Sequence, residues 1–340
     1  MDYVLWIEWI VKAILLIVIL LTGFAYMTYM ERKFLGRFQN RYGPNRAGPF
    51  GLLQPIADAV KLIFKEELIP SKADKLVFLI APVLTVVPAW ILLAVIPFGE
   101  VVTIFGREIS LSVAGDLNTG ILYLTAITSI SVYGIVLAGW SSNNKYATMG
   151  GIRSSAQMIS YELALGLAFI GPILMAGSMS LTRIVEQQGR VGWFAIYQPI
   201  TFVIFLIALL AEINRSPFDM PEAEQELTAG YHTEYSGMKF AMFMLTEYTK
   251  MIVVSVIAAT LFLGGYDIPF IENEGWLGPL ALFIKVLILL FGMVWVRATL
   301  PRFRYDRLMA FGWKILLPLA LFSVFLTAAL VIIFPGLGPK

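Results

Sequence analysis

The run Ala13-Ile-Leu-Leu-Ile-Val-Ile-Leu-Leu-Thr-Gly-Phe-Ala-Tyr-Met-Thr-Tyr-Met30 carries no charge and stops at Glu31-Arg-Lys. A helix rises about 1.5 Å per residue, so this run and the few residues before it match a hydrocarbon core of ~30 Å. In water such a helix would need cover on every side. The rest of the chain cannot give that cover. Hydrophobic residues make up 59% of the 340 and charged residues 14%, against roughly 45–50% and ~25% in soluble domains. The fold class that follows is an all-α integral membrane protein.

Outward from that run, Leu76–Ile96, Leu117–Trp140, Val191–Ala211 and Ile315–Phe334 are further uncharged stretches. Ser154–Gly177 holds Glu162, Phe240–Gly265 holds Glu247 and Lys250, and Gly275–Val296 holds Lys285. Together they predict one membrane domain over 1-340 with eight spans, near 5-30, 76-96, 117-140, 154-177, 191-212, 240-265, 275-296 and 315-334. Asp2 and Glu8 with no basic region argue against a signal peptide, and Glu8 can pair with Lys12 one turn on. The segments after spans one, three, five and seven carry 18 Lys and Arg, and the other side carries 4. Basic residues mark the cytoplasmic side, so both termini are expected on the outer face. Trp6, Trp9, Trp193 and Trp276 then fall near outer span ends, and Trp140, Trp295 and Trp313 near inner ones. The outer loops look short and featureless, and no internal repeat is visible.

Composition also excludes chemistry. Cys is absent and His occurs once, at His232. Thiolate-held iron–sulfur clusters, disulfides and bis-His haem are ruled out within the chain, and a lone histidine makes a poor metal site. The net charge of +2 gives no reason to expect nucleic acid. Any redox chemistry belongs to a partner.

The inner loops are long. In the first, Gly43-Pro44-Asn45-Arg46 and Gly48-Pro49 punctuate turns. Leu53, Ile56, Ala57, Val60, Ile63 and Phe64 then recur at helical spacing, with Gln54, Asp58, Lys61 and Lys65 opposite. This predicts an amphipathic surface helix near 52-65. It can anchor the loop on the membrane, or form one wall of an entrance for a lipid-like ligand. Both readings stay open on pattern alone. Glu31, Arg32, Lys33, Arg37 and Arg41 suit anchoring at the inner end of span one.

The loop 212-239 departs from the positive-inside trend. Glu212, Asp219, Glu222, Glu224, Glu226 and Glu234 face Arg215 as the one Lys or Arg among them. Asp219 and Glu222 fit a capping box. Glu222 and Glu226, at i,i+4, repel and favour a retained proton on one of them. Glu162 and Glu247 lie about 10–12 Å into their spans by helical rise. An ionised carboxylate there needs protein, water or a cation beside it. Each acid can be a structural ion pair or part of a proton path. Lys285, mid-span, is expected to pair with an acid. Lys250 is either the i,i+3 partner of Glu247 or a member of the path.

Four blocks make the pattern specific. The first is Glu31-Arg-Lys-Phe-Leu-Gly-Arg with Arg41-Tyr-Gly-Pro-Asn-Arg and Gly48-Pro-Phe-Gly-Leu-Leu-Gln-Pro-Ile-Ala-Asp58. The second is Ser160-Tyr-Glu162. The third is Ala211-Glu-Ile-Asn-Arg-Ser-Pro-Phe-Asp-Met-Pro-Glu-Ala-Glu-Gln-Glu226, continuing to Glu234-Tyr235. The fourth is Pro301-Arg-Phe-Arg-Tyr-Asp306. Over essentially the whole chain they resemble the H-type membrane subunit family of bacterial NADH-quinone oxidoreductase, respiratory complex I (subunit 1 of the mitochondrial enzyme). The resemblance implies a multi-pass cell-membrane component at the heel of the membrane arm, within a proton-translocating respiratory-chain translocase. Its implied quinone chamber takes in Glu31, Arg32, Arg41, Ile56, Val60, Arg215 and Phe218. The implied coupling path is Glu162, Glu212, Asp219, Glu222, Glu224, Glu226 and Glu247, with Lys285 counted among them. Arg297, Arg302, Arg304 and Arg307 match the contact region for the hydrophilic arm.

No cofactor is expected on this chain alone. Quinone, as ubiquinone or menaquinone, is the implied substrate, with FMN and iron–sulfur clusters in partner subunits that oxidise NADH. Implied partners are other complex I subunits and membrane lipid. One stretch departs from the pattern. Some bacterial members carry another Glu before Val132-Tyr133-Gly134, where this chain has Thr128-Ser129-Ile130-Ser131. The alternatives are a membrane anchor of a related hydrogenase-type complex, and a stand-alone proton-coupled transporter. Missing repeat symmetry counts against the transporter.

Overall fold

A computed structural model describes residues 3–100, 102–104, 107–220, 230–268 and 277–338. Its helices are α1 Tyr3–Phe38, α2 Gln54–Phe64, α3 Lys75–Ile91, α4 Gly120–Ser141, α5 Lys145–Ala176, α6 Leu181–Val191, α7 Phe194–Tyr197, α8 Pro199–Glu212, α9 Gly237–Phe262, α10 Leu277–Thr299, α11 Tyr305–Phe311 and α12 Leu317–Ile333. A π-helical turn over Gly312–Leu316 joins α11 to α12. Seven described helices are long and apolar enough to cross a membrane. The expected all-α membrane class holds.

Local chemistry sets the ends. Asp74 caps α3 by accepting from the Val77 amide at 3.4 Å, and Asn144 caps α5 through the Tyr146 amide at 3.0 Å. Both satisfy a donor that the first helical turn leaves unpaired. Gly177 ends α5 in the left-handed region, φ 62°, which glycine adopts without a Cβ penalty.

Three expectations are corrected. First, α5 begins at Lys145, well before Ser154. Asn144 supplies a cap there, and close packing of Gly150 on Gly230 and of Gly151 on Gly139 carries the helix on despite the low helix propensity of glycine. Second, the fifth span is not one helix. Gly192 and Pro199 interrupt it, and α8 has only 14 residues, about 21 Å of rise. Third, the outer loops are not featureless. Strands Val102–Ile104 and Arg107–Ile109 pair antiparallel, with Thr103 opposite Glu108. Helix α6 buries Leu181, Ile184, Val185 and Gln188. Gln188 donates to the Thr260 carbonyl at 2.9 Å and accepts from the Gly264 amide at 2.9 Å, fastening α6 to the end of α9.

The bundle is built around α5, which packs on α4, α8 and α12, while α3 lies between α4 and α9. Its core includes Tyr161, Phe194, Phe205 and Phe262. The long α1 leans mainly on α9 and α10, and on α2 near its end. Much of α1 is exposed apolar surface, Ile7, Ile10, Ile14, Leu15, Val18 and Ile19 among it. Its carboxyl end carries Arg32, Lys33 and Arg37, and that end of the bundle is called the basic end below.

Close helix approach depends on small residues. A Cβ on Gly139 of α4 would sit 2.6 Å from the Ala147 carbonyl oxygen and 3.2 Å from Gly151 Cα of α5. Both are backbone atoms, so the helices themselves must move apart. Gly139→Ala is expected to destabilise the chain by about 1–3 kcal/mol, the usual range for overpacking. Thermal unfolding of the purified assembly should show it as a lowered midpoint. An unchanged midpoint would refute the close crossing.

Candidate functional site

Helix α8 delivers Glu212 and then stops. Asn214 turns the chain with φ 56°, a left-handed conformation that Asn tolerates better than most residues. Arg215, Phe218 and Asp219 follow within a segment that is almost wholly buried. Gln157 of α5 anchors both sides of the turn, donating to the Ala211 and Phe218 carbonyls at 2.8 Å each. Phe218 stacks among Tyr161, Phe303 and Phe311. The Phe303 amide donates to the Pro217 carbonyl at 3.1 Å, tying in the α10–α11 connection.

This scaffold holds a chain of paired ions at the basic end, with Glu31, Arg215 and Asp219 buried. Glu31 of α1 is 2% exposed. Its carboxylate accepts from Arg215 Nη2 at 2.9 Å and, through the other oxygen, from Arg297 Nη1 of α10. Arg215 Nη1 meets Glu247 of α9 at 3.0 Å. The same guanidinium lies over the Tyr248 ring, 4.4 Å from its centroid. Asp219, buried, meets Arg302 Nη2 at 3.0 Å. Glu31, Arg215, Glu247 and Arg297 balance two negative charges with two positive. Such a network adds little net stability, since desolvation offsets attraction, yet losing one member costs about 3–5 kcal/mol. Its worth is therefore in fixing positions and responding to charge.

A second polar layer lies nearer the middle of the bundle. Glu212 is 3% exposed, and neither carboxyl oxygen has a hydrogen-bond partner among the described residues. Lys250, also buried, donates to Ser131 Oγ of α4 at 2.7 Å. Ser129 Oγ donates to Glu162 of α5. A cavity of about 30 Å³ touches Glu212, Asn214, Asp219, His232, Glu247 and Lys250, room for one or two waters. Residues of both layers thus line one small space, whose other walls include Ile135, Ile213 and Phe243.

The expected chamber residues divide. Glu31, Arg215 and Phe218 come together, as described. Arg32 pairs with Asp58 at 2.6 Å and pins α2 to α1. Ile56 and Val60 lie on the exposed face of α2 with Ile63 and Phe64. Arg41 is exposed and donates to Gln39 at 2.7 Å. Of the coupling residues, Glu162, Glu212, Asp219 and Glu247 converge. Glu222, Glu224 and Glu226 lie outside the described residues. Lys285 stands apart, at the opposite end of the bundle. Its ammonium donates to the Gly265 and Asp267 main-chain carbonyls at 2.8 and 2.6 Å and lies over the Trp193 ring. The acid expected beside it is Asp267, which acts on it electrostatically. The chain that follows α9 reaches this ninth residue of α10, so a mid-span position in sequence is close to loop backbone in space. Of the four docking arginines, Arg297 pairs with Glu31 and Arg302 with Asp219, and Arg302, Arg304 and Arg307 are all exposed.

Lys250 does not serve Glu247. Glu247 pairs with Arg215, and Lys250 with Ser131. The hydroxyls of Ser129 and Ser131 went unassigned in the sequence because a span tolerates Ser silently. Two residues apart on a helix, they face different neighbours, α5 and α9. Two further pairs brace the α8–α9 connection: Asn144 with Glu234 at 2.6 Å and Lys239 with Glu67 at 2.6 Å. Tyr235 stacks on Phe78, and burial pushes its phenol up to about 12, so it stays a neutral donor to the Phe78 carbonyl at 3.3 Å. No group of metal-binding side chains occurs among the described residues.

Comparison with known proteins fits this arrangement. A sequence profile described as NADH dehydrogenase matches residues 11–328. The H-type NADH-quinone oxidoreductase subunit numbered 2 in Geobacter metallireducens is 52% identical over 336 residues, 96% of each chain. The H-type subunit of the Thermomicrobium roseum enzyme is 54% identical over 318 residues, 91% of this chain and 92% of that one. The one numbered 1 in Cytophaga hutchinsonii is 48% identical over 316 residues, again 91% and 92%.

Proposed function

The chain belongs to the family of H-type NADH-quinone oxidoreductase subunits, and from that premise we propose how it takes part in quinone reduction. As a component of that enzyme it has no redox centre of its own, since it lacks Cys. NADH oxidation, FMN and iron–sulfur clusters belong to partner subunits docked at the basic end. That end faces the cytoplasm, as the Lys and Arg bias favours. The exposed apolar face of α2 borders the path by which a quinone tail leaves the bilayer. The headgroup comes to rest near Arg215, Phe218 and Asp219, at the edge of the ionic chain.

The observation that carries this reading is the continuity of the two polar layers. Reduction of a quinone to quinol takes two electrons from the partner and two protons. Either event changes charge beside Asp219 and Arg215. In a low-dielectric surround that change is felt strongly by paired ions. Glu31 and Glu247 share Arg215, so a shift at one alters the hold on the other. The cavity passes the change to Glu212, and Glu162 lies beyond it. Proton translocation by the complex would draw on that shift.

The entrance has a direct test. Ile56→Glu and Val60→Glu place a carboxylate where an apolar tail must slide. Burying it costs at least ~1.4 kcal/mol, so turnover of long-tailed quinone should fall about tenfold or more. NADH oxidation by soluble artificial acceptors serves as the control for an intact hydrophilic arm. Undiminished long-tailed quinone turnover in both variants would remove α2 from the path.

A further inference from the structure

Building on the coupling role just described, we propose that the Lys250 ammonium is a movable counter-charge shared between the Glu212 and Glu162 carboxyls. Sharing one cation between two acids would leave one exchangeable proton on the pair.

Lys250 points from α9 into the interior and is 7% exposed. Its ammonium has three donors. The structure shows one of them used, on Ser131 Oγ. Glu212 faces the same cavity from α8, with both carboxyl oxygens free of hydrogen bonds among the described residues. Lys250 lies within electrostatic reach of Glu212 and of Glu162. The cavity that Lys250 and Glu212 both line has the size to take a bridging water and offers it these two polar partners.

The charge count decides what this does. Glu247 is matched by Arg215, and Asp219 by Arg302. His232 also lines the cavity. Among the described residues, Glu212 and Glu162 are left with Lys250. Two ionised carboxylates and one ammonium would leave a net charge inside the bundle, with Glu212 and Lys250 buried and Glu162 half-buried, and low-dielectric surroundings penalise it. One of the two acids therefore holds a proton. An unbranched Lys can lean toward either, and the acid it approaches becomes the ionised one. Ser131 holds the ammonium at rest. The contrasting role is a fixed structural hydrogen bond to Ser131.

The experiment uses the assembled complex in sealed vesicles and follows Lys250→Met and Lys250→Arg. Readouts are protons translocated per quinone reduced, its pH profile, and the infrared band of protonated carboxyls. Lys250→Met should lower coupled turnover about tenfold, within the usual range for coupling between sites. It should also add a protonated-carboxyl band that disappears in the Lys250→Met/Glu212→Gln double variant. Lys250→Arg should restore the coupled ratio and remove the added band. If Lys250→Met does not assemble, the double variant, which removes one charge of each sign, should assemble. An assembled Lys250→Met with no new band, an arginine variant no better than methionine, or a double variant that also fails to assemble would overturn the proposal. Full proton translocation in Glu212→Gln alone would instead strike the coupling role, whatever the band shows.

Discussion

Arg215→Met should lower quinone reduction by the assembled complex roughly 100-fold or more, the largest loss expected from one side chain here. Arg215 is 2% exposed, and its two terminal nitrogens are divided between Glu31 at 2.9 Å and Glu247 at 3.0 Å. Removing it leaves Glu247 without that partner and leaves Glu31 to Arg297 alone. Loss of one partner of a buried pair costs about 3–5 kcal/mol. Methionine fills similar volume without charge, so the loss reports on electrostatics rather than on a void. The segment from Asn214 to Asp219 would also lose its tie to α1. Arg215→Lys gives the internal comparison. Its single ammonium can reach one acid but cannot fork between two, so its activity should lie between wild type and methionine. NADH oxidation with artificial acceptors checks that the hydrophilic arm is attached. Quinone reduction in Arg215→Met within twofold of wild type would show that this pairing does not matter to the reaction.

The Arg215 pairing also marks the limit of what the sequence reveals. Uncharged runs announce spans because lipid penalises charge in any helix that faces it, and those runs located most of the helices. They failed at α8, where Gly192 and Pro199 break a run whose hydropathy stays high. Helix α6 escaped notice for the opposite reason. It is polar on average, and its apolar residues matter only because α9 ends beside them. Charge inside a span signalled Glu162, Glu247, Lys250 and Lys285 as exceptions, but not their partners. Glu31 looks like an anchor in the sequence, since it sits among basic residues at a span end. Its pairing with Arg215 and Arg297 joins residues far apart in the chain, and no local pattern encodes that. The same holds for Ser129 and Ser131. A hydroxyl in a span can satisfy itself on its own helix backbone, as Ser129 also does with the Thr125 carbonyl, so its second partner is invisible before folding.

Glu212→Gln should uncouple more than it unfolds. Gln matches Glu in volume and keeps the cavity intact, so a packing loss is not expected. What it removes is a carboxyl that can gain and lose a proton. With Glu212 neutralised for good, Lys250 would settle on Glu162, and the exchangeable proton shared by that pair would be gone. Charge changes near Arg215 would then reach the cavity without the Glu212 carboxyl to respond. Coupled quinone turnover should fall about tenfold, within the common range of coupling free energies, and protons translocated per quinone should fall further. Glu212→Ala separates the contributions. It adds a void as well as removing the carboxyl, and voids carry their own penalty of roughly 24 cal/mol per Å³. If Ala lowers the thermal midpoint while Gln does not, and both lose translocation alike, the proton and not the packing is responsible. An assembled Glu212→Gln enzyme that reduces quinone and translocates protons at full rate would take Glu212 out of the path.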